Sequence, residues 1–406
     1  MQKLNPTPHH KLALPVPSPD AQLASQHLQA LIHAEIAANG GVIPFSRYME
    51  MALYAPRLGY YSGGSTKLGA DGDFTTAPEM TSLFGATLAQ VAQQLFEHTE
   101  PEIMEFGAGS GKLAFDILSE CQLSNIPLKR YFIVELSGEL RARQEQRLKD
   151  FPQVVWLSSM PAAFSGVVVG NEVLDAMPVE LVLKSEKGWS RLGVTTESSP
   201  TPSFALVKMH DSDDDIADLV AQIPDAVELP MGYISEVHPV EIGFMRSIAA
   251  MLLAGKARST HGGVAIWFDY GFPAHEYYLP QRDKGTLMCH YRHHAHPDPF
   301  YLPGLQDITA HVDFTAIAKT GVEAGLDLLS YTSQAGFLLA TGITELLSRI
   351  SVEDSQRYLP ASNVVQKLLS PAEMGELFKV LVLGAGVELS GKLAEQLFRY
   401  DRSHRL

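Results

Sequence analysis

Cysteine is nearly absent. The 406-residue chain has two, Cys121 and Cys289, which excludes a disulfide framework and fits a reducing compartment. Long apolar runs are missing too. None approaches the ~20 residues that a membrane-spanning helix needs. Positive charge is scarce, with 31 Lys and Arg against 46 Asp and Glu and a formal net charge of −15. A surface of that sign repels phosphate backbones and disfavours nucleic acid as a partner. Residues 1–20 hold no arginine and no apolar core, so they read as neither a secretory signal nor an Arg-rich transit peptide. The expectation is a disordered arm on a cytoplasmic protein, with the mitochondrial matrix as the alternative. No internal repeat or low-complexity tract is present.

What remains is a chain that can build a large core, 46% hydrophobic and 19% charged. Helical spacing of Leu23, Leu28, Leu31 and Ile36 predicts a helix over 21–39, stopped by Gly40 and Gly41. Residues 53–72, rich in Gly and Tyr, read as loops, and 81–96 as a second helix. Short apolar runs then alternate with helical segments: strands at 103–106, 131–134, 154–157 and 167–170, helices at 112–120 and 139–150. Such alternation predicts an α/β fold with a doubly wound parallel sheet. The pattern breaks at about 180. Brief β-like runs at 180–183 and 204–209 flank an acidic stretch, 211–215, that reads as a solvated loop. A helix at 240–253 leads to a fifth strand at 264–268, and an apolar strand at 378–383 lies near the end.

The first strand opens into Glu105-Phe106-Gly107-Ala108-Gly109-Ser110-Gly111. A phosphate-binding P-loop needs a Ser or Thr after its lysine, but Lys112 is followed by Leu113. A dinucleotide fingerprint needs Gly or Ala where Lys112 stands. A G-x-S-x-G nucleophile elbow fails around Ser110, with Ala108 and Lys112 at its outer positions. An acidic residue, a spacer and three alternating glycines resemble instead the first motif of class I methyltransferases. The glycines allow close backbone approach to the amino-acid tail of S-adenosylmethionine. Glu105 is placed to satisfy the loop or the cofactor ammonium. Glu135, at the end of the second strand, offers two acceptor oxygens to the ribose hydroxyls.

The fourth strand ends at Asn171-Glu172, followed by Asp175 and Pro178. Two carboxylates and an amide at this edge can bind a cation or take a proton. Capping of a helix by Asn171 or Asp175 is the plain alternative. Residues 72–79, Gly-Asp-Phe-Thr-Thr-Ala-Pro-Glu, read locally as a loop and helix start, with Thr76 as cap and Glu79 three residues on. Cys289, His290, His293, His294 and His296 cluster in a loop-like region with no second group at a familiar metal spacing. Surface or cleft histidines are therefore expected, and no metal.

Several segments together are similar to the MidA family, whose mitochondrial members are complex I assembly-factor protein-arginine methyltransferases. They include 48–54, 59–62, 72–79, the glycine loop, 134–137, 171–178, 269–271, 285–287, 303–304, 306–314 and 374–380. The resemblance covers about 40–384. It implies a class I methyltransferase Rossmann-like doubly wound sheet with an N-terminal helical extension and an inserted α+β substrate-binding region. The implied layout is an arm at 1–20, the extension at 21–100 and the first part of the cofactor core at 101–180. An insertion or lid follows at 181–262, then the second part of the core at 263–406 with a loop insertion at 272–312. The implied cofactor-binding residues are Glu105, Gly107, Ala108, Gly109, Gly111, Glu135, Leu136 and Asn171. Glu172 and Asp175, then Asp73, are implied as catalytic carboxylates. Phe74, Thr76, Glu79, Asp269, Tyr270, Asp307 and His311 are implied as substrate-binding, with His311 a base or a structural residue. The implied reaction is symmetric dimethylation of an arginine on a partner protein, such as a respiratory complex I subunit homologue. Other acceptors, or a non-catalytic assembly factor that retains the cofactor, remain the alternatives.

Overall fold

The computed structural model describes residues 14–63, 76–197 and 203–406, so Asp73 and Phe74 lie outside the described residues. The chain divides into two compact units. The first takes in residues 1–74, 175–242 and 274–313, and the second residues 75–174, 243–273 and 314–406.

The second unit carries a sheet of mainly parallel strands. These are β1 (Glu102–Phe106), β2 (Arg130–Val134), β3 (Val154–Leu157), β4 (Val167–Asn171), β5 (Gly263–Phe272), β6 (Asp327–Ser333) and β7 (Phe378–Ala385). Their spatial order is β6-β7-β5-β4-β1-β2-β3. β1 through β5 pair in parallel, and β7 runs antiparallel between β5 and β6. From β1 the chain fills one side of the sheet with β2 and β3, then crosses to β4 and β5. That reversal makes a crevice outside the carboxyl ends of β1 and β4, the place where doubly wound sheets bind ligands. Every residue of β7 is buried, as a strand covered on both faces requires, and apart from Lys379 the strand reads as an apolar run. Helices α1 (Ser82–Leu95), α2 (Lys112–Leu123) and α3 (Gly138–Arg147) surround this sheet region. Phe84, Leu88, Ile103, Ile117, Tyr131, Val169, Ile266 and Val382 meet in its core.

The first unit holds helices Pro19–Ala38 and Phe45–Tyr54 and an antiparallel sheet. Its strands run in the order Ile43–Pro44, Gly188–Glu197, Glu180–Ser185 and Ile234–Val237, with Ser203–Lys208 paired to Gly188–Glu197. Leu28, Ile32, Tyr48, Leu181 and Val194 form part of its core. The ten-residue strand Gly188–Glu197 was not expected from the sequence. Its alternation is blurred because only residues 192–194 are consecutively buried.

Two local expectations are corrected. The acidic run is not simply a solvated loop: Asp213–Val220 is a helix with Asp213, Asp214 and Asp215 in its first turn. Ser212 Oγ caps it by accepting from the Asp215 amide at 3.2 Å, and negative charge at a helix N-terminus is favourable. The His-rich stretch is not loop throughout. Met288–Tyr291 and His294–His296 pair as an antiparallel hairpin, and Asp307–Thr309 adds a third strand. The two-residue turn uses Arg292 at φ 46° and His293 at φ 64°. Positive φ at both positions matches the twist of a hairpin, but neither residue type announces it.

Candidate functional site

Register brings the strand ends together. Phe106 of β1 lies opposite Val134 of β2 and Gly170 of β4, and Asn171 of β4 lies opposite Phe268 of β5. The residues that follow these positions therefore share one edge of the sheet. They are the glycine loop, Glu135, Glu172 and Asp269.

The glycine loop turns through left-handed backbone, with φ of 68°, 50° and 77° at Gly107, Gly109 and Gly111. A side chain at Gly107 would also lie 2.7 Å from Val173 Cγ2. Glycine is the residue that takes this conformation without a Cβ penalty. Gly107 is exposed while Ala108 is buried, and the Ala108 carbonyl accepts from the Gly111 amide at 2.7 Å. Ser110 ties the loop to two neighbours: its hydroxyl donates to Glu79 Oε1 and accepts from Arg147 Nη1 at 2.7 Å. Glu79, expected as a substrate residue, thus touches the glycine loop. Thr76 stands at the N-cap of the short helix Ala77–Met80 without a side-chain capping bond.

The two acidic strand residues differ. Glu105 is buried under the loop, and its Oε2 accepts from Tyr131 Oη at 2.7 Å. Burial pushes its carboxyl up to about 7, against the lowering effect of the Tyr131 bond. This is a structural setting, and sequence reasoning had left a contact to the cofactor ammonium open. Glu135 is partly exposed. Its Oε1 accepts from the Ser137 amide at 2.8 Å and its Oε2 from Gln144 Nε2 at 3.0 Å. Burial raises its carboxyl and these bonds lower it. Each oxygen keeps a further lone pair for a hydroxyl donor. Leu136 beside it is 82% exposed, an apolar surface next to an acceptor pair.

At the end of β4, Glu172 takes a left-handed conformation, φ 54°, which costs a residue other than Gly roughly 1–2 kcal/mol. Its surroundings hold it there. The Glu172 amide donates to the Phe268 carbonyl at 2.8 Å. Asp269 Oδ2 accepts from the Val173 and Leu174 amides at 3.1 and 2.9 Å, and Asp269 Oδ1 from the Tyr270 amide at 3.0 Å. Asp269, expected at the substrate, shapes this turn, and Tyr270 packs on Phe378 at 5.6 Å between ring centres. Asn171 Nδ2 donates to Glu172 Oε1 at 3.0 Å. Asn171 Oδ1 is buried and unpaired. Acceptors of this kind are rare, and a cationic amine on a ligand would satisfy this one.

The remaining sequence candidates lie in the first unit. The Asp175 carbonyl accepts from the Ala310 amide at 3.0 Å. Asp307 is buried, and its carboxylate accepts from Tyr61 Oη at 2.9 and 3.0 Å. The His311 amide donates to Thr286 Oγ1 at 3.1 Å. Thr286 belongs to a cluster around buried Glu236. That carboxylate accepts from the Thr286 and Leu287 amides at 3.0 and 2.9 Å and from the hydroxyls of Tyr277 and Thr286 at 3.0 and 3.1 Å. Buried His238 meets Glu241 at 2.5 Å and Tyr277 Oη at 3.1 Å. Among the described residues, no group of three His, Cys, Asp or Glu side chains is arranged to hold a metal ion.

Sequence reasoning missed Gln144 altogether. It is fully buried, although α3 reads as a charged surface helix. Its Nε2 donates to the Gly109 carbonyl at 3.0 Å as well as to Glu135, and its Oε1 accepts from Trp156 Nε1 at 3.1 Å.

A family model of S-adenosyl-L-methionine-dependent methyltransferases matches residues 83–332. The crystal structure of a methyl transferase superfamily member from Burkholderia thailandensis, bound to S-adenosyl-homocysteine, is 50% identical. It aligns over 97% of this chain and 100% of that one with a TM-score of 0.88. The mitochondrial protein arginine methyltransferase NDUFAF7 homologue of Caenorhabditis elegans is 26% identical over 88% of this chain and 86% of its own length. The Drosophila melanogaster homologue is 26% identical over 95% and 90%. The chain therefore belongs to the MidA-like family of class I methyltransferases and uses S-adenosylmethionine as its methyl donor.

Proposed function

We propose that this methyltransferase acts on arginine in a partner protein and forms symmetric dimethylarginine, a type II product. The observation that carries the reading is Glu172, a carboxylate held in left-handed backbone at the carboxyl end of β4, beside Asn171 and Asp269. Strained backbone clusters at functional sites. The curated relatives support the acceptor, since both are named protein arginine methyltransferases.

Bound S-adenosylmethionine supplies an electrophilic methyl group on a sulfonium. The glycine loop, Glu135, Leu136 and Asn171 are the residues that would hold it. Guanidinium is a poor nucleophile because its charge is delocalised and it stays protonated. Glu172 answers both problems. Its oxygens orient the planar group through paired hydrogen bonds, and it accepts the proton released as nitrogen is alkylated. Asp175 and Asp73 are the next carboxylates to test. Asp307 and His311, in the first unit, are residues to test for binding of the acceptor protein.

A respiratory complex I subunit homologue is the first acceptor to assay. The relatives' names carry the word mitochondrial, which favours that compartment over the cytoplasmic expectation. No helix among the described residues is long and apolar enough to cross a membrane. The test is incubation with methyl-labelled cofactor and cell lysate, read by mass spectrometry. Label in symmetric dimethylarginine supports the proposal. Label confined to small molecules or other side chains replaces the acceptor, and no label reduces the chain to a cofactor-binding assembly factor.

A further inference from the structure

We infer that Gln144 is a positioning residue that couples the glycine loop to Glu135, so that the two bind the cofactor as one unit. The inference rests on the reading of Glu135 as the ribose acceptor.

The Gln144 amide has a fixed sense. An indole N–H only donates, so Trp156 Nε1 at 3.1 Å requires Gln144 to present its oxygen there. The amide nitrogen must then face the Gly109 carbonyl and Glu135 Oε2, each at 3.0 Å. Both its protons are used, one on each half of the site. Gly111 closes the fit, since a Cβ there would lie 3.3 Å from Gln144 Cγ. One helical turn on, Arg147 of α3 holds Ser110 of the same loop at 2.7 Å. A single face of α3 thus grips the loop at two points, while Gln144 also takes one oxygen of Glu135. Ser137 holds the other oxygen at 2.8 Å and caps α3 itself, accepting from the Leu140 amide at 3.4 Å. The carboxylate is thus oriented from both sides.

Removing the amide leaves Glu135 Oε2 and the Gly109 carbonyl without their side-chain donor, with the carboxylate held by the Ser137 amide on its other oxygen. A lost hydrogen bond to a charged group corresponds to about a tenfold change in affinity or more. The loss should fall on recognition of the ribose hydroxyls. The test is calorimetric titration of S-adenosyl-homocysteine and its 2′-deoxy and 3′-deoxy analogues into the full chain and into Gln144→Met, Glu135→Ala and the double variant. Gln144→Met should weaken S-adenosyl-homocysteine about tenfold and shrink the penalty for the deoxy analogues. The double variant should lose clearly less than the sum of the two single losses, because the two residues act together. Additive losses, or an undiminished deoxy penalty in Gln144→Met, would overturn the inference. If Glu135→Ala binds S-adenosyl-homocysteine normally, the ribose reading itself fails. Should Gln144→Met not fold, Gln144→Glu serves instead: a carboxylate there keeps the acceptor for Trp156 but cannot donate to Gly109 or Glu135, so it should reduce the deoxy penalty, and an unchanged penalty contradicts the inference.

Discussion

The carboxyl edge of the β1–β5 sheet and the cluster around Glu236 are both rich in carboxylates, and they use them in opposite ways. Glu236 is fully buried and takes two amides and two hydroxyls. Such a group holds the turn at residues 285–287 in place, and its bonds are directed inward to the fold. Glu135 and Asn171 stand at strand ends with acceptor capacity left over. The difference separates polar groups saturated by the fold from those with acceptor capacity to spare, and residue type does not reveal it. Glu105 and Glu135 make the same point within one unit: both are strand-end glutamates, but one is sealed under Tyr131.

The comparison can be broken most sharply at Glu172. Glu172→Gln keeps the shape and removes the base, so methyl transfer should fall by at least ~100-fold while S-adenosyl-homocysteine binding stays within about twofold. Rates near those of the unaltered protein would remove Glu172 from the chemistry. Glu236→Gln should show the reverse. The new amide cannot accept everything the carboxylate did, and about 1–3 kcal/mol of stability should be lost, visible as a lower melting temperature with cofactor affinity unchanged. A cofactor defect at full stability would place Glu236 among the ligand-facing groups.

Glu105 sharpens the comparison through pH. Its folded pKa, about 7, lies above the ordinary 4.5. The folded state therefore binds more protons than the unfolded state between these values, and stability declines as pH rises through that window. Relative to the native chain, Glu105→Gln should flatten the melting-temperature profile from about pH 5 to 8 by a few degrees. A profile that keeps its slope would show that Glu105 ionises freely.

Much of the sheet was legible because parallel strands buried on both faces read as short apolar runs. The expected strand at 154–157 matches β3, and those at 103–106, 131–134 and 167–170 differ from β1, β2 and β4 by a residue at one end. The antiparallel placement of β7 was not legible, since an apolar run carries no direction. The glycine loop was readable because spacing and positive φ are linked through one residue type. Gln144 was hidden, because its burial comes from a loop and a strand outside its own helix. Asp269 was visible as a strand-end acid, but its partners, the Val173 and Leu174 amides, come from a turn almost a hundred residues away.

The most direct test of the central claim, that the carboxyl edge of this sheet holds the cofactor, is titration of S-adenosyl-homocysteine into Glu135→Ala with the melting temperature measured in parallel. Affinity should fall at least tenfold with a melting temperature close to that of the unaltered protein. Unchanged affinity, or a loss that merely follows unfolding, would contradict it.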